Sequence, residues 1–295
     1  MATSIVIPVY RAADELARCL ASLEHTVPAD VRIFIADDAS PDAAVAQVID
    51  QMQQRGRLRI EMTRRAENLG FIGNVNLALA QTAPDDVILL NSDTVATPGW
   101  FEAMLACAQS DPRIATITPW SNNAEICSFP RFCEPSPLPG EEESAQLAKL
   151  LAANPSPQYP ELPTGVGFCM FMRRAALDAL GDFDMATFGR GYGEENDFCL
   201  RATGHGWRNV LCDTAYVGHQ GGASFSLEGH HPGGENLARL NARYPHYNAM
   251  VAEFILADPL APLRERILAA LREPTPSTAA APPAAAVQSD LFSPQ

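Results

Sequence analysis

Basic side chains are scarce in this chain of 295 residues. Lys and Arg together number 21, against 35 Asp and Glu, which gives a formal net charge of −14. This balance excludes the positive footprint with which proteins bind nucleic acid or an anionic membrane surface. We therefore expect no nucleic-acid partner, and we expect a phosphate-bearing ligand to need a bound cation or local hydrogen-bond donors.

The chain also lacks paired cysteine motifs and long apolar runs. Its seven cysteines are scattered, with no C-x-x-C pair to indicate a zinc or redox site, and they favour a reducing cytoplasm. The first residues, "MATSIVIPVYRAADEL", have no basic region like that of a signal peptide, and no segment reaches membrane-spanning length. The sequence predicts a cytoplasmic protein, with any association at the inner face of the membrane being peripheral.

Short β-branched runs alternate with amphipathic segments through the first hundred residues. The runs "SIVIPVY", "RIFIADD", "RLRIEMT" and "DVILLNSD" are typical of strands, and helical spacing of apolar residues follows each one. This alternation predicts an α/β fold with a mostly parallel sheet flanked by helices. In such sheets, ligands bind at the carboxyl ends of the strands.

The later chain divides by composition. Residues 119–163 are rich in turn-forming residues, and we interpret them as a lid or an acceptor-facing wall beside the site. We expect the α/β domain to span residues 1–230 and a helical extension to span 231–272. Residues 273–295 are rich in Pro and Ala and are predicted to form a disordered tail or a linker.

Acidic and amide side chains follow two of the predicted strands. Asp37 and Asp38 come after the second strand, and Asn91 and Asp93 come after the fourth. Asp and Asn also favour turns for purely local reasons. If both loops face one crevice, however, the carboxylates repel each other unless a cation lies between them, and oxygen ligands suit Mg²⁺ or Mn²⁺.

The segment "GYGEENDFCLR" concentrates three carboxylates at the start of a predicted helix. Glu194 is favoured there by the helix dipole, and Asp197 lies four residues before Arg201, where an ordinary surface pair contributes a few tenths, ~0.3 kcal/mol. Glu195 has no such structural explanation. The preceding glycines indicate a mobile loop rather than a phosphate cradle, because the two glutamates would repel an anion.

These motifs occur in an order that resembles the family 2 glycosyltransferases. The matching segments are "SIVIPVYRAADELARCLASL", "IADDAS", "ENLGFIGNVN", "LLNSDT", "GYGEENDFCLR" and "GHQGGASF". The resemblance covers roughly residues 3 to 226 and implies the nucleotide-sugar-binding GT-A fold for the α/β domain. It also implies a nucleotide-sugar-binding set made up of Pro8, Tyr10, Asp37, Asp38, Asn68, Gly70, Asn74, Asn91 and Asp93.

The same resemblance implies an inverting, metal-dependent sugar transfer. Asp93 would be the main carboxylate on Mn²⁺ or Mg²⁺, and His219 would be a second ligand. Asn91 stands where the family more often has an acid, which removes one negative charge from the metal site. Glu195, with Glu194 beside it, would be the base that takes the proton of the acceptor hydroxyl.

The resemblance leaves the substrates open. Trp120, Thr164 and Gly165 fall in segments that border the acceptor side in the family, although an aromatic residue after a strand is more often a packing residue. The implied donor is a UDP, dTDP or GDP sugar, with a hexosyl or rhamnosyl group. The implied acceptor is a glycan or a lipid-linked glycan of bacterial surface polysaccharide synthesis.

Two other functions compete with this one. A catalytically degenerate nucleotide-sugar-binding module of a larger assembly would keep the same pocket but would not transfer sugar. A sugar-phosphate nucleotidyltransferase would need a glycine-rich loop with a basic residue after the first strand, and "PVYRAADEL" contains no glycine. A dinucleotide-dependent dehydrogenase is disfavoured for the same reason.

Overall fold

The computed structural model describes residues 2–221 and 234–272. The predicted tail over 273–295 and the end of the "GHQGGASF" motif therefore lie outside the described residues. Eight strands are described: β1 (Thr3–Val9), β2 (Arg32–Asp37), β3 (Arg59–Arg64), β4 (Asp86–Leu90), β5 (Thr94–Ala96), β6 (Ile114–Trp120), β7 (Cys169–Met172) and β8 (Arg208–His219).

Helices connect and flank these strands. They are α1 (Ala13–Leu23), α2 (Ala44–Arg55), α3 (Gly70–Gln81), α4 (Trp100–Ser110), α5 (Glu141–Ala152), α6 (Arg174–Leu180), α7 (Met185–Phe188), α8 (Glu194–Gly204), α9 (Glu235–Arg243), α10 (Tyr247–Ala257) and α11 (Ala261–Arg272), with a short 3-10 turn at Glu125–Cys127. Within the described ranges, no helix is long and apolar enough to cross a bilayer.

The strands form one mixed sheet in the order β3-β2-β1-β4-β7-β6-β8-β5. Of the seven pairings among the described strands, four are parallel and three are antiparallel. The predicted parallel part corresponds to β1 to β4. The long strand β8 is continuous because its first part pairs with β6 and its last part with β5.

The sheet separates two hydrophobic clusters by the alternation of its side chains. In β1, Ile5 and Ile7 belong to one cluster and Val6 to the other. The first cluster is covered by α1, α2, α4, α5 and α11, and the second by α3, α6, α8 and α9. The central strands are therefore buried on both faces, whereas the edge strand β3 is partly exposed, and the open edge for a ligand is at the strand ends.

The turn-rich segment 119–163 is only partly a wall of the site. Its helix α5 begins at Glu141 and packs Leu147 and Leu151 into the first cluster. From the same segment, Asn123 lines the cavity described below. The helix is thus part of the core, while the short loop after β6 borders the site.

Candidate functional site

A cavity of about 290 Å³ opens at the carboxyl ends of β1 and β4. Tyr192 and the segment Val166–Phe168 contribute to its walls. Of the residues singled out in the sequence, those that line the cavity are Pro8, Tyr10, Asp38, Asn68, Gly70, Asn74, Asn91, Asp93, Glu194, Glu195 and His219. Segments distant in the chain therefore meet at the carboxyl ends of the strands, where ligands bind in sheets of this kind.

Asp38 organises the start of α3 on one side of the cavity. Its two carboxylate oxygens accept hydrogen bonds from the backbone amides of Leu69 and Gly70, at 2.8 and 2.9 Å. Burial raises the pKa of Asp38, although these amides and two nearby arginines counteract part of the rise. Because a carboxylate at a helix N-terminus satisfies unpaired amides, Asp38 shapes the pocket as well as facing it.

Gly70 is required by a close approach between two loops. Its φ of 77° lies in the left-handed region, and a Cβ atom would lie 3.0 Å from the Cβ of Arg190. The Arg190 guanidinium also donates to the side-chain oxygen of Asn68. The predicted pocket residues Asn68 and Gly70 thus hold the loop before α8 against the start of α3.

Two of the predicted nucleotide-binding residues have structural partners. Asp37 does not line the cavity: it is 1% exposed, accepts from the backbone amide of Ser40 at 2.9 Å and lies 3.6 Å from Arg64. Asn74 lines the cavity, but its side chain donates to the carbonyl oxygen of Ala36 at 2.7 Å and accepts from Arg65 Nε at 2.8 Å.

Asp93 and His219 face each other across antiparallel β5 and β8. His219 Nε2 lies 3.4 Å from Asp93 Oδ1, and Nδ1 lies 2.7 Å from the carbonyl oxygen of Asn123. Burial lowers the pKa of His219, but the hydrogen bond and charge of Asp93, together with the Asn123 carbonyl, produce a net rise. The Asn123 carbonyl accepts a hydrogen bond only if Nδ1 carries the proton, so in the neutral ring the lone pair on Nε2 faces Asp93.

This pair fits a divalent cation by the chemistry of its donors. In the neutral ring, Nε2 and Oδ1 are two acceptors directed at one point, and the hydrogen bond from the other ring nitrogen is typical of metal-binding histidine. Within residues 2–221 and 234–272, no three His, Cys, Asp or Glu side chains converge to hold a metal. A cation here would therefore take further oxygen ligands from Asn91, water or a diphosphate.

Glu194 and Glu195 form a second acidic pair on the cavity, at the start of α8. Glu194 is 4% exposed and Glu195 is more open, and in each side chain Oε2 is buried without a hydrogen-bond partner. Burial and the charge of Glu195 raise the pKa of Glu194 well above its ordinary value. Burial also raises the pKa of Glu195, and the hydrogen bond with Glu194 lowers it in part.

The two carboxyl groups share the same buried surroundings, so the charge of one disfavours the charge of the other. The rise in pKa is larger for Glu194, whose charged form is therefore the more disfavoured of the two. The helix dipole, invoked from the sequence to explain Glu194, is outweighed by burial.

Asp197 corrects an expectation from the sequence. It is fully buried instead of forming a surface pair, and it accepts from Arg201 Nε at 2.8 Å, Arg243 Nη1 at 2.6 Å and the Tyr244 hydroxyl at 2.9 Å. The last two partners lie 46 and 47 residues away along the chain. Because helical spacing reports only local neighbours, the sequence could not reveal them.

The three acceptor-side candidates do not reach the cavity. Trp120 is 0% exposed and packs edge-on against Phe129, with ring centroids 6.3 Å apart. Thr164 is 6% exposed. The backbone amide of Gly165 donates to Cys199 Sγ at 3.1 Å, and an added Cβ would lie 3.0 Å from Met170 Sδ. The structure brings the next segment, 166–168, to the cavity instead.

Several cavity residues were not selected from the sequence. Phe168 stacks on His219, with ring centroids 5.1 Å apart, and fixes the orientation of the imidazole. Asn123 accepts from the same ring. For Tyr192, the sequence contained one signal of a place in the site. An aromatic residue between two glycines, in a loop next to an acidic doublet, is atypical of a packing residue. Neither Asn123 nor Phe168 carried a comparable local signal.

Comparison with known proteins identifies similar sequences and folds. Residues 4–181 match the family model described as Glycosyl transferase family 2. The N-acetylglucosaminyl-diphospho-decaprenol L-rhamnosyltransferase of Mycobacterium tuberculosis is 26% identical over 236 residues, which cover 73% of this chain and 75% of that protein. The name of that protein describes transfer of L-rhamnose to N-acetylglucosaminyl-diphospho-decaprenol.

Two solved structures share the fold. The mannosyltransferase PcManGT from Pyrobaculum calidifontis, in complex with GDP-Man and Mn2+, has a TM-score of 0.60 and 16% identity, with 93% of this chain and 76% of that chain covered. The 1–349 fragment of S. aureus TarS, in complex with UDP-GlcNAc, has a TM-score of 0.55 and 17% identity. The alignment with TarS covers 78% of this chain and 62% of that chain. Both support the predicted GT-A fold.

Proposed function

Because this chain belongs to glycosyl transferase family 2, we propose that it transfers a sugar, with inversion, from a nucleoside diphosphate to an acceptor hydroxyl. It is a glycosyltransferase. The proposal of inverting, metal-dependent transfer rests on one observation, that two different pairs of side chains meet at one cavity. Asp93 and His219 form a cation-binding pair, and Glu194 and Glu195 form a proton-sharing pair. Inverting transfer needs both kinds of group.

Glu195 acts as the general base. Its carboxylate takes the proton of the acceptor hydroxyl while that oxygen attacks the anomeric carbon of the donor sugar. Glu194 holds its own proton and donates a hydrogen bond to Glu195, which keeps Glu195 ionised although both are buried. The raised pKa of the pair brings the base toward the pH at which a proton can be taken and later released.

Asp93 and His219 would hold Mn²⁺ or Mg²⁺. When bound, such a cation neutralises the charge that develops on the departing diphosphate. The Asn123 carbonyl and the ring of Phe168 orient the imidazole so that Nε2 faces Asp93. The single carboxylate at this point, with Asn91 in place of a second acid, predicts a modest affinity for the cation in the absence of the nucleotide.

The donor lies along the ends of β1, β2 and α3. Pro8, within the end of β1, and Tyr10, just after it, line the cavity on the side proposed for the base, and Asp38 with Gly70 lines the side proposed for the ribose. We propose that Asp38 and Asn74 shape the pocket, because their side chains are held by the backbone and arginine contacts already described. Asp37 stabilises the loop after β2 by accepting a hydrogen bond from the backbone amide of Ser40.

For the acceptor, we propose a hydroxyl of a glycan, with a lipid-linked glycan as the first candidate. The M. tuberculosis relative is named for such an acceptor and for a rhamnosyl donor. With a lipid-linked acceptor, the enzyme would work in the cytoplasm at the inner face of the membrane. We propose a role in bacterial surface polysaccharide synthesis on the same ground.

A donor screen tests this proposal directly. The purified chain is mixed with UDP, GDP or dTDP sugars, each with and without Mn²⁺, and its melting temperature is measured. Ligand present at 100 times its Kd stabilises the native state by about 2.7 kcal/mol, so a true donor is readily detected. If no donor in a broad panel raises the melting temperature or undergoes slow hydrolysis, the proposal fails.

The substitution Glu195→Gln separates an enzyme from a binding module. We expect it to lower transfer or donor hydrolysis by ~10²–10⁴-fold, the usual contribution of a general base, while donor affinity is retained. Glu253→Gln, in an exposed position of α10, is the matched control and should keep full activity. Equal rates for Glu195→Gln and wild type would remove Glu195 from the mechanism, and donor binding without turnover by wild type would indicate a binding module.

A further inference from the structure

The loop between α7 and α8 contains a tyrosine in a strained backbone conformation. Tyr192 has a φ of 70°, in the left-handed region, between Gly191 at 153° and Gly193 at 98°. A bulky aromatic residue adopts this region rarely and at a cost in free energy, whereas glycine adopts it freely. Strained residues of this kind concentrate at functional sites, so the tyrosine side chain itself needs an explanation.

Contacts on both sides hold the loop in this conformation. On one side, the Phe71 amide donates to the carbonyl oxygen of Arg190 at 3.0 Å, next to the contact between Arg190 and Asn68. On the other side, Asn236 Nδ2 donates to the carbonyl oxygens of Phe188 and Gly191, at 2.8 and 2.6 Å. The loop is thus fixed between α3 and α9, and Tyr192 lies between these attachments.

Tyr192 lines the same cavity as the glutamate pair. Burial, followed by the charges of Glu195 and Glu194, raises the pKa of Tyr192, as expected for a phenol close to both carboxyls. The anomeric carbon of the donor must approach an acceptor oxygen held at Glu195. The sugar being transferred therefore has to lie next to Glu195, in the part of the cavity that Tyr192 borders.

We infer that Tyr192 is a specificity-determining residue whose ring packs against the sugar being transferred, an inference that rests on the proposed function. One face of a pyranose ring exposes mainly C–H groups, and aromatic rings bury such surfaces with little loss of side-chain entropy. The phenol hydroxyl supplies a further hydrogen bond to a sugar hydroxyl. The fixed loop holds the ring in position before the donor binds.

The test compares the affinity for a nucleotide sugar with the affinity for its nucleoside diphosphate. The probes are UDP with UDP-N-acetylglucosamine, GDP with GDP-mannose, and dTDP with dTDP-L-rhamnose, measured by titration calorimetry with Mn²⁺ present. For the pair that wild type binds best, we expect Tyr192→Ala to weaken nucleotide-sugar binding about tenfold and to leave nucleoside diphosphate binding unchanged, since only the sugar contact is lost. Tyr192→Phe keeps the ring and should stay within about threefold of wild type.

Tyr159 provides a matched control, because it is also a tyrosine with a left-handed backbone, at a φ of 46°, and it does not line the cavity. Tyr159→Ala should change neither affinity. If Tyr192→Ala leaves both affinities unchanged, or lowers both equally, Tyr192 does not contact the sugar. If wild type binds a nucleotide sugar without transferring it, the proposed function is contradicted, while the affinities still test the contact between Tyr192 and the sugar. If wild type binds no nucleotide sugar, both the proposed function and the sugar contact are overturned.

Discussion

The two adjacent glutamates at the start of α8 have different chemistry because of a small difference in exposure. Glu194 is 4% exposed, while Glu195 opens further onto the cavity. Both are desolvated, and the rise in pKa is larger for Glu194, the less exposed of the two. At the level of single residues, this difference favours Glu195 in the base role proposed above.

The raised pKa of Glu194 predicts a dependence of stability on pH. Because this pKa lies above its ordinary value of 4.5, the folded chain binds the proton more tightly than the unfolded chain. The stability that this group contributes is full below the unfolded pKa and is lost as the pH rises through the folded pKa. Wild type should therefore lose part of its stability through this residue as the pH rises above ~5.

Glu194→Gln removes that loss, since glutamine stays neutral. At high pH, we expect the variant to melt at a higher temperature than wild type. The difference should be about 2–4 °C for each kcal/mol of unfolding free energy that wild type loses through Glu194, and it should shrink toward pH ~5. Melting curves across this range measure it, with Glu253→Gln as the exposed control. A difference that is constant with pH would mean that Glu194 is not the titrating group.

Among the elements, α8 is positioned by a buried charge cluster as well as by its apolar side. Asp197 accepts hydrogen bonds from Arg201 of the same helix and from Arg243 of α9. Arg243 also donates to Asp184 and Thr187, at 2.7 Å each, and so joins α9 to α7. These contacts fix the helix whose first turn carries Glu194 and Glu195.

Breaking the cluster should destabilise the whole chain. Asp197→Ala leaves two guanidinium groups without their shared carboxylate, and losing one member of a buried pair costs about 3–5 kcal/mol. Because both arginines are partly exposed and can regain water, we expect about 3 kcal/mol, measured by denaturant unfolding. Asp178→Ala, at an exposed position of α6, is the control, and a loss below about 1 kcal/mol for Asp197→Ala would show that the cluster contributes little.

For the whole molecule, the net charge of −14 opposes the approach of an anionic ligand. Salt screens this repulsion, because the Debye length falls from about 30 Å at 0.01 M to about 8 Å at 0.15 M. Arg65 and Arg190 lie near the donor side and act over shorter distances. We therefore expect the long-range field to slow the encounter with an anionic ligand, and these two arginines to attract the ligand at short range.

Stopped-flow binding of the best nucleoside diphosphate, with Mn²⁺ held constant, tests this balance. We expect the association rate constant to rise on the order of twofold between about 0.01 and 0.15 M NaCl, the reverse of binding steered by a basic surface. A neutral nucleoside provides the comparison and should show little dependence on salt. An association rate that falls with salt would show that the arginines dominate the field at the cavity.

The order of elements and the position of the cavity could be predicted from the sequence. Apolar runs such as "RIFIADD" alternate with helical spacing, and this alternation is enough to place helices on both faces of a sheet. Because parallel strands share the direction of their carboxyl ends, Asp38 and Asp93 follow strands that end at one edge. The family motifs then added His219 and Glu195, which local pattern alone could not connect.

Only the tertiary structure decided which side chains open onto the cavity. Asp37 and Asp38 are neighbours with the same chemistry, yet the first turns to Ser40 and Arg64 and the second to α3. Trp120 is enclosed by the core, and the segment 166–168 lies at the cavity in its place. The sequence by itself determined the parallel part of the sheet, its helical layers and the edge where ligands bind, because these follow from local periodicity and chain direction. The antiparallel pairings, the exposure of each side chain and the raised pKa values of the two glutamates depend on contacts between segments far apart in the chain, which no local pattern contains.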